Sequence, residues 1–145
     1  MIRTILVAVD GSEPSLRAAS LAADLAVKYE ATLHLVQVVQ PLSVTKELEE
    51  FARVERMDVA TSRDVATRYL LGPAESIAKT AGVRTVVREV LTGDPAECLL
   101  DYTRDRAIDL AVLGRRGLGR VRGLLMGSVS SKMSSLAECP VLTVK

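Results

Sequence analysis

Tryptophan is absent from the chain, and aromatic residues make up only 3%: Phe51, Tyr29, Tyr69 and Tyr102. The core must therefore be aliphatic, and no ladder of rings exists on which single-stranded bases could stack. Histidine occurs once, as His34, and cysteine twice, as Cys98 and Cys139, with no CxxC motif. A zinc site lacks its ligands. Two isolated cysteines in a chain of this size read as reduced packing residues of a cytosolic protein. His34 lies inside an apolar run and reads as a half-buried strand residue, not a base. Neither sign of charge is in excess: 19 basic against 18 acidic residues leave +1. The global field of a non-specific nucleic-acid binder is missing, and no nucleic-acid partner is expected. No apolar run reaches the roughly 18–20 residues that cross a bilayer. The opening run is short, ends in Asp10 and has no small-residue cleavage pattern, so a signal peptide is not expected. These absences give the expectation of a cytoplasmic protein with no membrane partner.

What remains has an ordinary globular composition, 48% hydrophobic and 26% charged over 145 residues, which predicts one domain spanning 1–145. Its organisation lies in an alternation of element types. Ile2 to Val9 is a strand-length apolar run, too apolar to face solvent. Ser12 reads as the N-cap of a following helix with Pro14 in its first turn, and Leu16, Ala19, Ala23 and Ala26 line one face of it. Thr32 to Val39 is a second strand. The segment from Lys46 to Arg68 is dense in charge of both signs, a solvated helix face with Leu48, Phe51, Ala52, Val59, Ala66 and Leu70 as its buried stripe. Gly72-Pro73 predicts a break or kink there, then a short helix that stops at Gly82. Arg84 to Leu91 interleaves charge with apolar residues, as an edge strand does. Asp94, Pro95 and Glu97 form a capping-box-like start to a helix ending near Arg106. A buried strand from Leu110 to Leu113, a glycine-rich loop, a helix from Ser128 to Leu136 and a strand from Val141 to Val144 complete the chain. Strict alternation predicts an α/β fold: a doubly wound parallel sheet with helices on both faces. Such sheets bind ligands beyond the carboxyl ends of their strands, where strand order reverses.

One segment carries the chemistry. From residue 114 the chain reads GRRGLGRVRGLLMGSVSS, with glycines at 114, 117, 119, 123 and 127 and with Arg115, Arg116, Arg120 and Arg122. Glycines let backbone amides approach a ligand closely, and Gly127-Ser128 opens a helix whose first amides favour anions. Ser128 and Ser130 add hydroxyls. Together these features describe a polyphosphate cradle. It is not a Walker A loop, because Gly127-Ser128 lacks the lysine. Nor is it a dinucleotide fingerprint, because the turn after the first strand reads DGSEPS.

What does fit is Gly-x2-Gly-x9-Gly-Ser, with Gly114, Gly117 and Gly127-Ser128 in register. On this spacing the chain resembles the ATP-binding branch of the universal stress protein family. The likeness covers its whole length: ILVAVDGS at the start, GDPAE, LAVLGRRGLG, LLMGSVS, and CPVLTVK at the end. The resemblance implies strand order 3-2-1-4-5, binding of ATP or another adenine nucleotide, and a stress-response regulator that is usually a homodimer. Matched position by position, Asp10 stands near the adenosine; its alternative role is an acid capping the helix that follows. Ala8 and Val38 line the adenine, although Val38 on the residues alone is a core valine. Gly114, Gly117, Gly119, Gly127, Ser128, Val129 and Ser130 form the phosphate and ribose loop, with Arg115 and Arg116 compatible with it. Magnesium would come with ATP, and Asp10 is the acid that could meet it indirectly.

No second carboxylate, histidine or glutamine accompanies the cradle, so fast phosphoryl transfer lacks its usual parts, and a non-catalytic switch is the leading expectation. A slow ATPase or nucleotidyl-group enzyme, with autophosphorylation on Ser128 or Ser130, is one alternative; a module that binds protein partners without nucleotide is the other. Val141-Leu142-Thr143-Val144 is short and uncharged, and the implied order places it at a sheet edge, which predicts a homodimer through that strand.

Overall fold

The computed structural model describes residues 1–39, 50, 59–116 and 126–145. Among them the elements run β1 (Thr4–Ala8), α1 (Glu13–Tyr29), β2 (Thr32–Val39), α2 (Val59–Ala81), β3 (Val86–Thr92), α3 (Pro95–Asp105), β4 (Leu110–Gly114), α4 (Ser128–Leu136) and β5 (Val141–Val144). The five strands form one parallel sheet in the order β3-β2-β1-β4-β5, as the family resemblance implies. The interleaved charges of β3 lie at one edge and the uncharged β5 at the other.

Alternating side chains of the buried strands feed two cores. On one face Ile5, Val7, Leu33, Leu35, Leu110 and Val112 pack under α1 and α2; on the other Leu6, Val36, Ala111 and Leu113 meet Leu99 and Tyr102 of α3 and Met133 of α4. The α1 face is alanine: Ala18, Ala19, Ala22, Ala23 and Ala26 are all buried. Small side chains let this helix lie close against the sheet, and close packing of that kind is what holds an aliphatic core together.

Helix ends follow local chemistry. The Ser12 hydroxyl accepts the Ser15 amide at 3.3 Å, and Asp94 accepts the Glu97 amide at 3.0 Å, so α1 and α3 are both capped by side chains. Gly82, at φ +89°, ends α2, and the Val83 amide bonds back to the Ala78 carbonyl at 3.0 Å. Pro73 corrects the expectation of a break: it sits inside the continuous helix α2. A proline there costs roughly 3 kcal/mol. Burying Leu71 contributes about 1.5–3 kcal/mol in return, and Ala74 and Ala78, both buried against α1, add to it. Packing outweighs the local rule. Of the charged-helix stripe, Leu48, Phe51 and Ala52 lie outside the described residues, as do the side chains of Val59 and Ala66.

Candidate functional site at the strand-order reversal

Strand order reverses between β1 and β4, whose ends lie side by side with Ala8 in register with Leu113. The chain leaving β1 forms a tight polar turn. The Asp10 carboxylate accepts the Ser12 amide at 2.9 Å, the Ser15 hydroxyl accepts the Asp10 amide at 3.3 Å, and that hydroxyl donates to the Ser12 carbonyl at 2.8 Å. Ser12, not Asp10, caps α1, and Asp10 shapes the turn ahead of it. Gly11 takes φ +82° within this turn. Ala8 and Val38 both pack on the core beneath α3 and α4.

Across from this turn, Gly114 ends β4 against the first turn of α1. A Cβ at Gly114 would stand 2.9 Å from the Pro14 carbonyl carbon and 2.9 Å from the Ser15 nitrogen. Its missing side chain therefore serves helix packing directly, a duty that the sequence pattern did not reveal. The next residue is bonded on both sides. Its amide donates to the Val144 carbonyl of β5 at 2.6 Å, and the Arg115 carbonyl accepts the Gly127 amide at 2.8 Å.

Helix α4 then begins at Ser128 on Gly127, which supplies no capping side chain. With the Gly127 amide already engaged, the amides of Ser128, Val129 and Ser130 have no partner within the helix. Ser128 is exposed and Ser130 buried, 2% accessible. The Ser130 hydroxyl donates to the Arg115 carbonyl at 2.7 Å, so it does not offer the outward donor expected of it. Gly117 and Gly119, with Arg120 and Arg122, lie outside the described residues.

Among the described residues, the buried side-chain atoms without a hydrogen-bond partner are Arg115 Nε, Arg116 Nε and Gln37 Oε1. All belong to this end of the sheet, since Gln37 stands two residues from the end of β2 and the arginines follow β4. Unpaired buried polar atoms, here two guanidinium donors and one amide acceptor, are uncommon and call for partners. Gln37 was missed, although a polar residue interrupting the run TLHLVQVV was a visible signal.

The histidine and the two cysteines have environments of their own. His34 is buried on β2, its Nδ1 2.9 Å from the Tyr102 hydroxyl. Burial, and then the Arg106 guanidinium, hold its pKa below the ordinary 6.5. Both thiols are free and are pushed up mainly by burial, which keeps them protonated. Among the described residues no three His, Cys, Asp or Glu side chains converge to hold a metal.

Comparison with known proteins bears on the whole chain. The family model described as the universal stress protein family matches residues 1–145. The universal stress protein encoded in the QAH/OAS sulfhydrylase 3' region of Thermus aquaticus is 38% identical over 145 residues, covering 100% of both chains. The universal stress protein YxiE of Bacillus subtilis is 31% identical over 148 residues, again with 100% coverage of both. Among solved structures, a universal stress protein in complex with cAMP is 26% identical with a TM-score of 0.72, covering 99% of this chain and 96% of that one. One from Archaeoglobus fulgidus in complex with dAMP is 19% identical at TM-score 0.68, covering 100% and 98%, and shares the fold.

Proposed function

The chain belongs to the universal stress protein family, and from that membership we propose that it is an adenine-nucleotide-binding regulator acting as a single cytoplasmic domain. The observation that carries the reading is the uncapped start of α4 beside Arg115 and Arg116, whose Nε atoms are buried without partners. Free helix amides and unpaired guanidinium N–H groups have one chemistry in common: they are donors waiting for an anion. They stand at the reversal of strand order, where open α/β sheets take their ligands. A relative of the same fold, 26% identical, was solved with cAMP.

In this reading Ala8 and Val38 border the base and Asp10 the ribose. Gly114, Gly117, Gly119, Gly127, Ser128, Val129 and Ser130, together with Arg115 and Arg116, surround the phosphates. ATP is the proposed ligand, with magnesium arriving on the triphosphate and Asp10 as the acid closest to it. The proposed role is a non-catalytic switch, because the cradle sequence supplies no second carboxylate, histidine or glutamine to position an attacking water. Two copies would pair through β5, the end strand of the sheet among the described residues.

The test is to heat-denature the purified protein, identify any released nucleotide, and measure thermal shifts with ATP, AMP and cAMP. A released adenine nucleotide, or a shift of several degrees with at least one of the three, is expected. No release and no shift with any of them would overturn nucleotide binding and leave the protein-interaction reading.

A further inference from the structure

The Ser130 hydroxyl is almost wholly enclosed and bonded to main chain. It donates to the Arg115 carbonyl at 2.7 Å and approaches the Gly127 carbonyl at 3.2 Å. The Arg115 carbonyl receives the Gly127 amide as well, at 2.8 Å, so both of its lone pairs are engaged. On the other side of the same residue, the Arg115 amide donates to the Val144 carbonyl at 2.6 Å. One residue thus joins the end of β4, the start of α4 and the last residue of the edge strand β5.

We infer that Ser130 is a positioning residue whose hydroxyl latches the first turn of α4 onto Arg115 and, through Arg115, onto β5. The latch fixes where the free amides of Ser128, Val129 and Ser130 stand. Its effect on a ligand passes through the backbone; the hydroxyl could meet a phosphate only by giving up both carbonyls. That last consequence rests on the nucleotide reading, whereas the latch itself does not. A strained latch would be felt at Val144, so the anion-facing helix end and the sheet edge are mechanically joined by a single peptide unit on either side of Arg115.

Amide hydrogen exchange on nucleotide-free protein tests this, comparing the parent with Ser130→Ala and Ser130→Thr. Losing one ordinary hydrogen bond from a shared acceptor should speed exchange of the Gly127 amide about tenfold in the alanine variant. The Arg115 amide should quicken in the same sense, the Val112 amide inside β4 should not change, and threonine should restore parental rates at both. Unchanged Gly127 exchange in Ser130→Ala overturns the latch. A uniform rise that includes Val112 overturns it equally, because the serine would then serve only global stability. Binding of ATP and cAMP to the parent protein is measured separately. Failure to bind would count against the nucleotide reading and leave the exchange comparison standing.

Discussion

At Gly114 the constraint is contact distance. A methyl group there would be 2.9 Å from backbone atoms of Pro14 and Ser15, and backbone at a helix start cannot rotate aside as a side chain can. Gly114→Ala should therefore destabilise the fold by about 1–3 kcal/mol, the usual range for overpacking. A lowered urea midpoint with unchanged slope would verify this; an unchanged midpoint would show that α1 can recede. His34 acts through charge. Its pKa lies below 6.5 in the fold because burial disfavours the imidazolium and Arg106 repels it. The unfolded chain therefore binds the proton more readily than the folded one. Stability owed to the neutral ring is complete above 6.5 and is lost as pH falls from 6.5 through the lowered value. His34 is the only histidine, so no second imidazole obscures that window. The parent's urea midpoint should drop between about pH 7.5 and about pH 5.5, and drop less in His34→Gln, which keeps a partner for Tyr102. Equal drops would assign the effect to other groups.

Helix α4 differs from α1 and α3 in starting without a side-chain cap, and the difference can be reversed. Gly127→Asp supplies a capping carboxylate, worth a few tenths of a kcal/mol over glycine, and places a negative charge among the free amides. Thermal stability should hold or rise while ATP affinity falls about tenfold or more, since an opposing charge at a helix start is worth on the order of 1–2 kcal/mol. Calorimetry and a melting curve on the same sample would separate the two effects; undiminished affinity would remove α4 from the site. The order of elements was readable because strands, caps and stops are local. Ser12, Asp94, Pro95 and Gly82 each act within four residues of themselves. The helix does not break at Pro73 because Leu71, Ala74 and Ala78 bury against α1, a partner that no local window contains. The two duties of the glycine-rich segment were also hidden, for the same reason. Gly114 answers to Pro14 and Ser15 across the sheet, and the Ser130 hydroxyl to the Arg115 carbonyl. Spacing singles these residues out; only packing shows which of their groups are already bonded.

For the molecule as a whole, the sheet has two unlike edges. β3 carries Arg88, paired with Glu75 of α2 at 2.9 Å, and so has charge and a helix beside it. β5 has no charged side chain, and Leu142 is 36% accessible. On the proposed two-fold pairing through β5, the parent should sediment at twice the 15.6 kDa chain mass, and Leu142→Lys should shift it towards the monomer. A parent that sediments as one chain at micromolar concentration would refute the dimer. The central position of β1 has a consequence of a different kind. β1 is made early and pairs with β2 soon after, but its other neighbour, β4, begins only at Leu110. At roughly 5–20 residues per second, the ribosome needs about 4 to 14 s to travel from the end of β2 to Leu110. Throughout that interval the nascent β1–α1–β2 unit leaves open the β1 edge whose Ile5, Leu6 and Val7 are wholly buried in the finished fold, an unpaired apolar edge of the kind that invites mispairing.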